Sequence, residues 1–151
     1  MSIYLILKFL HVLLAIIAIG FNASYPVWFR RAQREPEHAL YALRGIKTLD
    51  DRFANPAYAL LAVLGVAMAL IAGIPFSTFW IAAALVLYVV LLVGGLVVYS
   101  PILKRQIAAL ETAGPTSPEY TQLSQRGTVV GILLAVDVVI IVFLMVVKPT
   151  L

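Results

Sequence analysis

The chain has no cysteine and very little charge. The first absence excludes disulfides, thiolate metal sites and cysteine nucleophiles, and leaves the redox compartment open. The second is more telling. Charged residues make up 12% of the 151 positions and apolar residues 63%, against about 25% and about 45–50% in an ordinary soluble domain. With a mean hydropathy of +1.03, so few charges cannot clothe a water-facing surface. The composition implies one integral membrane domain over residues 1–151. No nucleophile–base pair, phosphate-cradling glycine loop or metal motif is present, which weighs against an enzyme without excluding one. Histidine is scarce as well, with two residues, His11 and His38.

What is present falls into four apolar runs. About 20 apolar residues cross ~30 Å of hydrocarbon at 1.5 Å per residue. The runs at about 3–22, 53–73, 78–99 and 127–147 meet that length. The first is too long for a cleaved signal peptide and carries Lys8 inside it, so it is read as a span. On a helix, Tyr4, His11, Ala15, Ala18, Asn22 and Tyr25 share one narrow face, opposite Ile, Leu, Val and Phe. That division predicts a protein-facing side and a lipid-facing side. Tyr25, Pro26, Trp28 and Phe29 read as an interfacial aromatic cluster. After them, Pro36 and Glu37 predict the start of a helix over Ala39–Arg52, lying at the membrane surface because its charges forbid immersion. Asn55-Pro56 predicts the start of span two. Gly65, Ala69 and Gly73 predict a close-packing stripe on it, as do Gly127 and Gly131 on span four. The uncharged link Gly73–Ser77 reads as a tight hairpin.

Topology follows from the basic residues. Arg30, Arg31, Arg34, Arg44, Lys47 and Arg52 lie between spans one and two, and Lys104, Arg105 and Arg126 between spans three and four. Four spans put both links on one side. That side holds nine of the eleven basic residues and is expected to be cytoplasmic, with both termini outside. The net charge of +4 would suggest nucleic acid in a soluble protein. Here the basic residues flank the spans, so the expected partners are anionic lipid headgroups and no nucleic acid.

Two ionisable side chains interrupt the spans deeply. His11 is expected ~12 Å and Asp137 ~15 Å from the outer surface by helical rise, with Met68 at a similar level. Such groups pair or line a wet cavity. His11 and Asp137 therefore form a predicted polar core pair with three open roles: a hydrogen bond that fixes packing, a proton relay or ligand contact, or haem or metal ligation by His11. A haem would take His11 with Met68, or His11 from each of two chains. Asn22, Asn55, Tyr58 and Tyr99 are expected together at the inner end, as a polar vestibule or as interfacial anchors. If Asp137 faces the bundle centre, Gly127 and Gly131 turn toward a neighbouring helix or a second copy, so a homodimer is one expectation.

Phe9-Leu10-His11-Val12-Leu13, Trp80, Pro101-Ile102-Leu103 and Leu144-Met145-Val146-Val147-Lys148-Pro149 together resemble the bacterial family designated domain of unknown function 2269, over nearly the whole chain. The resemblance implies four spans in a bacterial cytoplasmic membrane and carries no settled activity. Asp51-Arg52-Phe53 and Asn55-Pro56 match the family's span-two start only loosely. The Leu10-His11 placement is more distantly similar to the copper-resistance D proteins and the small membrane protoporphyrinogen oxidases, which implies a metal or haem role for His11 alone.

The fold expected is an all-α, up-down membrane bundle of four helices with an interfacial helix between spans one and two. Three functions stand open: a binding protein for haem, metal or a small apolar ligand near His11; a structural or assembly subunit with no ligand of its own; and a redox enzyme or transport component.

Overall fold

The computed structural model describes residues 2–149. Helices α1 (Ile3–Arg34), α2 (Ala39–Leu49), α3 (Asn55–Ile71), α4 (Phe79–Val93), α5 (Ser100–Ala113) and α6 (Pro118–Val147) account for nearly all of it, and no strand occurs among the described residues. They form four rods, because α2 runs into α3 and α4 into α5 without a break. All four rods are long and apolar enough to cross a membrane.

The rods are longer than a bilayer needs. Thirty-two residues in α1 span ~48 Å, against ~30 Å of hydrocarbon. The excess lies at the end that carries the basic links, called here the basic end. There the last turns of α1, all of α2 and α5, and the first turns of α6 pack together. Tyr25, Ala32, Ala39, Leu43, Ile46, Leu103, Leu110, Tyr120 and Leu123 form the larger core. Leu43 is fully buried and Ile46 and Leu103 nearly so. An Arg44–Glu111 ion pair of 2.6 Å ties α2 to α5 on the surface. The interfacial helix is thus present, but it stands upright in this module as the extension of α3.

Toward the opposite end the rods carry a continuous lipid-facing coat, including Ile16, Leu60, Val63, Val86, Val139 and Val146. Here α1 packs on α3 and α4 on α6, while the backbones of the two pairs approach each other chiefly through α1 and α6. A small second core of Ala18, Ala57 and Leu61 seals the first pair. Lys148 caps the second by sitting 5.3 Å from the Trp80 ring.

Both broken-looking places in the sequence are continuous helix with a widened π turn: Asp50–Ala54 and Gly94–Tyr99. Each is followed within two residues by a proline, Pro56 and Pro101. A proline inside an α-helix lacks its N–H and clashes with the carbonyl four residues back. A preceding π turn shifts the bonding to five residues, as from the Asn55 N–H to the Asp50 carbonyl, and makes room for the ring. Asn55-Pro56 therefore follows a widened turn inside a continuous rod and does not begin a separate helix.

Candidate functional site

His11 points from α1 at α3. A Cβ placed on Gly65 would stand 3.3 Å from its Cε1, so the ring occupies the space that a side chain at 65 would take. The ring is half-buried beside the Leu61 carbonyl, and its buried Nδ1 makes no well-formed hydrogen bond. Met68, one turn further along α3, is also half-buried. Gly65 thus acts as the expected packing glycine, with the imidazole as the group it admits. Gly65→Leu is expected to displace the ring and lower stability by about 1–3 kcal/mol. Gly20→Leu, which meets nothing within 4 Å, is expected to leave stability unchanged or slightly raised; thermal unfolding in detergent compares the two.

Asp137 is 9% exposed on the inward face of α6, with Oδ2 unpartnered. Its close neighbours cover it. The expected His11–Asp137 pair does not form: no hydrogen bond or ion pair joins the two among the described residues. Register explains the miss. His11 lies opposite Gly65, six residues from the end of α3, whereas Asp137 lies eleven residues below the Lys148–Trp80 contact. That puts the Asp137 backbone about 8 Å deeper. Helical side chains also lean toward their own N-terminus, so the imidazole tips outward and the carboxylate toward the basic end.

The other glycines sort differently from the sequence reading. Gly73 has φ +63° and open space where a Cβ would be, so it is a left-handed turn residue after α3 and packs nothing. Gly127 faces Ile102 and Gln106 of α5, and Gly131 faces the Tyr99 ring. Both serve contacts inside the chain, so this stripe offers no surface to a second copy.

The inner polar residues do gather, around a member that the sequence reading left out. Asn22 donates to the Tyr58 hydroxyl at 2.7 Å and to the Ala18 carbonyl at 3.0 Å. The Tyr88 hydroxyl donates to the Tyr58 carbonyl and so links α4 to α3. Asn55 donates to Asp50 at 3.4 Å. Asp50 is 7% exposed, and Tyr25 and Tyr99 pack in the same buried core as Ile46, one turn before it. Lys47, the nearest cation, is held by Asp51. Burial pushes the Asp50 carboxyl above its ordinary range, against the pull of Lys47. Tyr25 is buried with its hydroxyl unpartnered. One π turn bears Asp50 and the other ends in Tyr99, and such turns recur at functional sites. Asp50 looked like one of several surface charges; its position at the head of a π turn carries no compositional mark.

A family described as "Predicted integral membrane protein (DUF2269)" matches residues 5–149. The chain belongs to this family. Its membrane character and the four apolar rods agree. No curated protein and no solved structure matches the chain. In this family member no group of three His, Cys, Asp or Glu side chains is placed to hold a metal among the described residues. The polar groups instead descend the interior in steps, from His11 through Tyr88 and Asp137 to Tyr58, Asn22 and the Asp50 chamber.

Proposed function

We propose that the protein binds a small ligand inside the membrane at His11, near the ends of α1 and α3 that lie away from the basic end. The observation that carries this reading is the buried Nδ1 of His11, which makes no well-formed hydrogen bond although the Leu61 carbonyl of α3 lies beside the ring. An unsatisfied polar atom in hydrocarbon costs several kcal/mol, so a ligand that completes it gains correspondingly. The ligand takes one imidazole contact, and Met68 is the second side chain within a turn. Haem is the case that a spectrum tests. An unpaired imidazole has the chemistry of an axial ligand, but the ring already touches α3 at Gly65. Were haem the ligand, His11 would hold its iron from the side away from α3; Met68, which stands on α3 with Gly65, would not reach it, and a second copy of the chain would have to supply any further ligand.

The test is purification from haem-replete cells, with visible spectroscopy, elemental analysis and mass spectrometry of an organic extract. A bound species present in wild type and reduced at least tenfold in His11→Ala is the expected result. A colourless, metal-free and ligand-free wild type, with His11→Ala folded as well, transfers the reading to an assembly subunit without a ligand.

A second reading rests on Asp137. An unpaired carboxylate deep in the bundle, between His11 and the Asp50 chamber, suits a proton-relay step in a transport component. In that case liposomes carrying the protein pass protons under an imposed potential, and Asp137→Asn does not.

The basic end is proposed to face the cytoplasm, with both termini outside, because it holds nine of the eleven basic residues. Arg30, Arg31 and Arg34 there follow Trp28 and suit anionic headgroups. A homodimer, if one forms, uses a surface other than Gly127 and Gly131.

A further inference from the structure

We propose that the chamber around Asp50 is a binding site for a monovalent alkali cation. Asp50 is nearly closed off from solvent, and the one cation that acts on it, Lys47, is bonded by Asp51, so two carboxylates share a single positive charge. Its hydrogen-bonding is a single long contact from Asn55, 3.4 Å. A buried negative charge left in excess is unstable, so the site takes up one further positive charge. A divalent ion would require further carboxylates. Asp51 is exposed and already paired, and no triad of acidic or histidine ligands exists among the described residues.

The surrounding groups are neutral oxygens, the donor type that hard cations prefer. The Asn22 and Asn55 side-chain carbonyls accept no hydrogen bond among the described residues. Tyr25 is 4% exposed and its Oη has no partner, although it lies within reach of the Asp50 charge. Tyr58 and Tyr99 bring two more phenolic oxygens from α3 and from the second π turn. A π turn also withdraws one carbonyl from the regular ladder, as broken helices do at cation sites in transporters. Tyr25 comes from α1, Asp50 and Tyr58 from the second rod, and Tyr99 from the third, so an ion here joins three rods at one point.

The experiment is thermal unfolding of the purified full-length protein in detergent, in sodium, potassium or N-methylglucamine chloride at equal ionic strength and fixed pH. In wild type, sodium or potassium is expected to raise Tm saturably by about 5 °C or more over N-methylglucamine at 100 times the half-saturating concentration. Asp50→Asn is expected to lose that difference. Tyr25→Phe, which keeps the ring, is expected to raise the half-saturating concentration several-fold, and it serves if Asp50→Asn does not fold. Equal Tm in all three salts, or a cation effect that persists in Asp50→Asn, overturns the proposal. So does a wild type whose stability follows pH alone, since a proton would then be the occupant.

Discussion

Leu103→Ala, or Leu43→Ala, is expected to lower the unfolding free energy by about 2–5 kcal/mol, the range for emptying a closed leucine site. Leu60→Ala and Leu133→Ala are expected to change it by well under 1 kcal/mol in detergent, because those side chains meet acyl tails in the native protein and detergent chains in the test. The contrast rests on placement. Leu43 and Leu103 are 0% and 1% exposed in the module at the basic end, whereas Leu60 and Leu133 are 52% and 63% exposed on the outer coat. Within lipid, burial of one apolar surface against another brings no hydrophobic gain over contact with tails. The protruding module is different: its surroundings are polar, and its leucines are withdrawn from water. Circular dichroism over a denaturant series measures the difference. Equal losses at all four positions would mean that the module does not dominate stability.

Asp137→Leu is expected to move the other way, raising stability by about 1–3 kcal/mol, because it removes a buried oxygen that bonds to nothing. Leucine fills a comparable space on an inward face that already carries Leu123 and Leu144. The same substitution is expected to abolish any proton flux in liposomes. A variant that is both tougher and inactive would mark Asp137 as a residue kept for work at a cost to the fold. A destabilised Asp137→Leu would instead assign the carboxylate to a hydrogen bond with water or a partner that holds the helices.

Much of this architecture was legible in the residues. The inward face of α1, from Tyr4 through His11, Ala18, Asn22 and Tyr25, follows from helical spacing, and the buried and half-buried positions of α1 repeat it. The gathering of Asn22 with Tyr58 follows from shared depth. The His11–Asp137 pair failed because depth was counted from run ends. The contacts that set register, Gly65 with His11 and Trp80 with Lys148, shift the two helices by more than a turn. Asp50 escaped notice because charge alone suggested exposure, and the π turn that turns it inward has no signature except the proline after it. With Pro101 placed in the same way after Gly94–Tyr99, a proline shortly beyond a span edge reads here as a widened turn. Gly127 and Gly131 meet neighbours on α5 and at Tyr99, which helical spacing alone does not name.

The module at the basic end draws on every rod: the tail of α1, α2, α5 and the head of α6. During synthesis its first half emerges long before its last. Tyr120 and Leu123, which close its core, leave the ribosome only after three spans have been made. Leu43 and Ile46 must therefore wait, uncovered, through most of translation, and this interval is when a chaperone or the insertion machinery has most to protect. A chain halted before residue 118 would carry three spans and an open apolar seam, and quality control should recognise it by that seam.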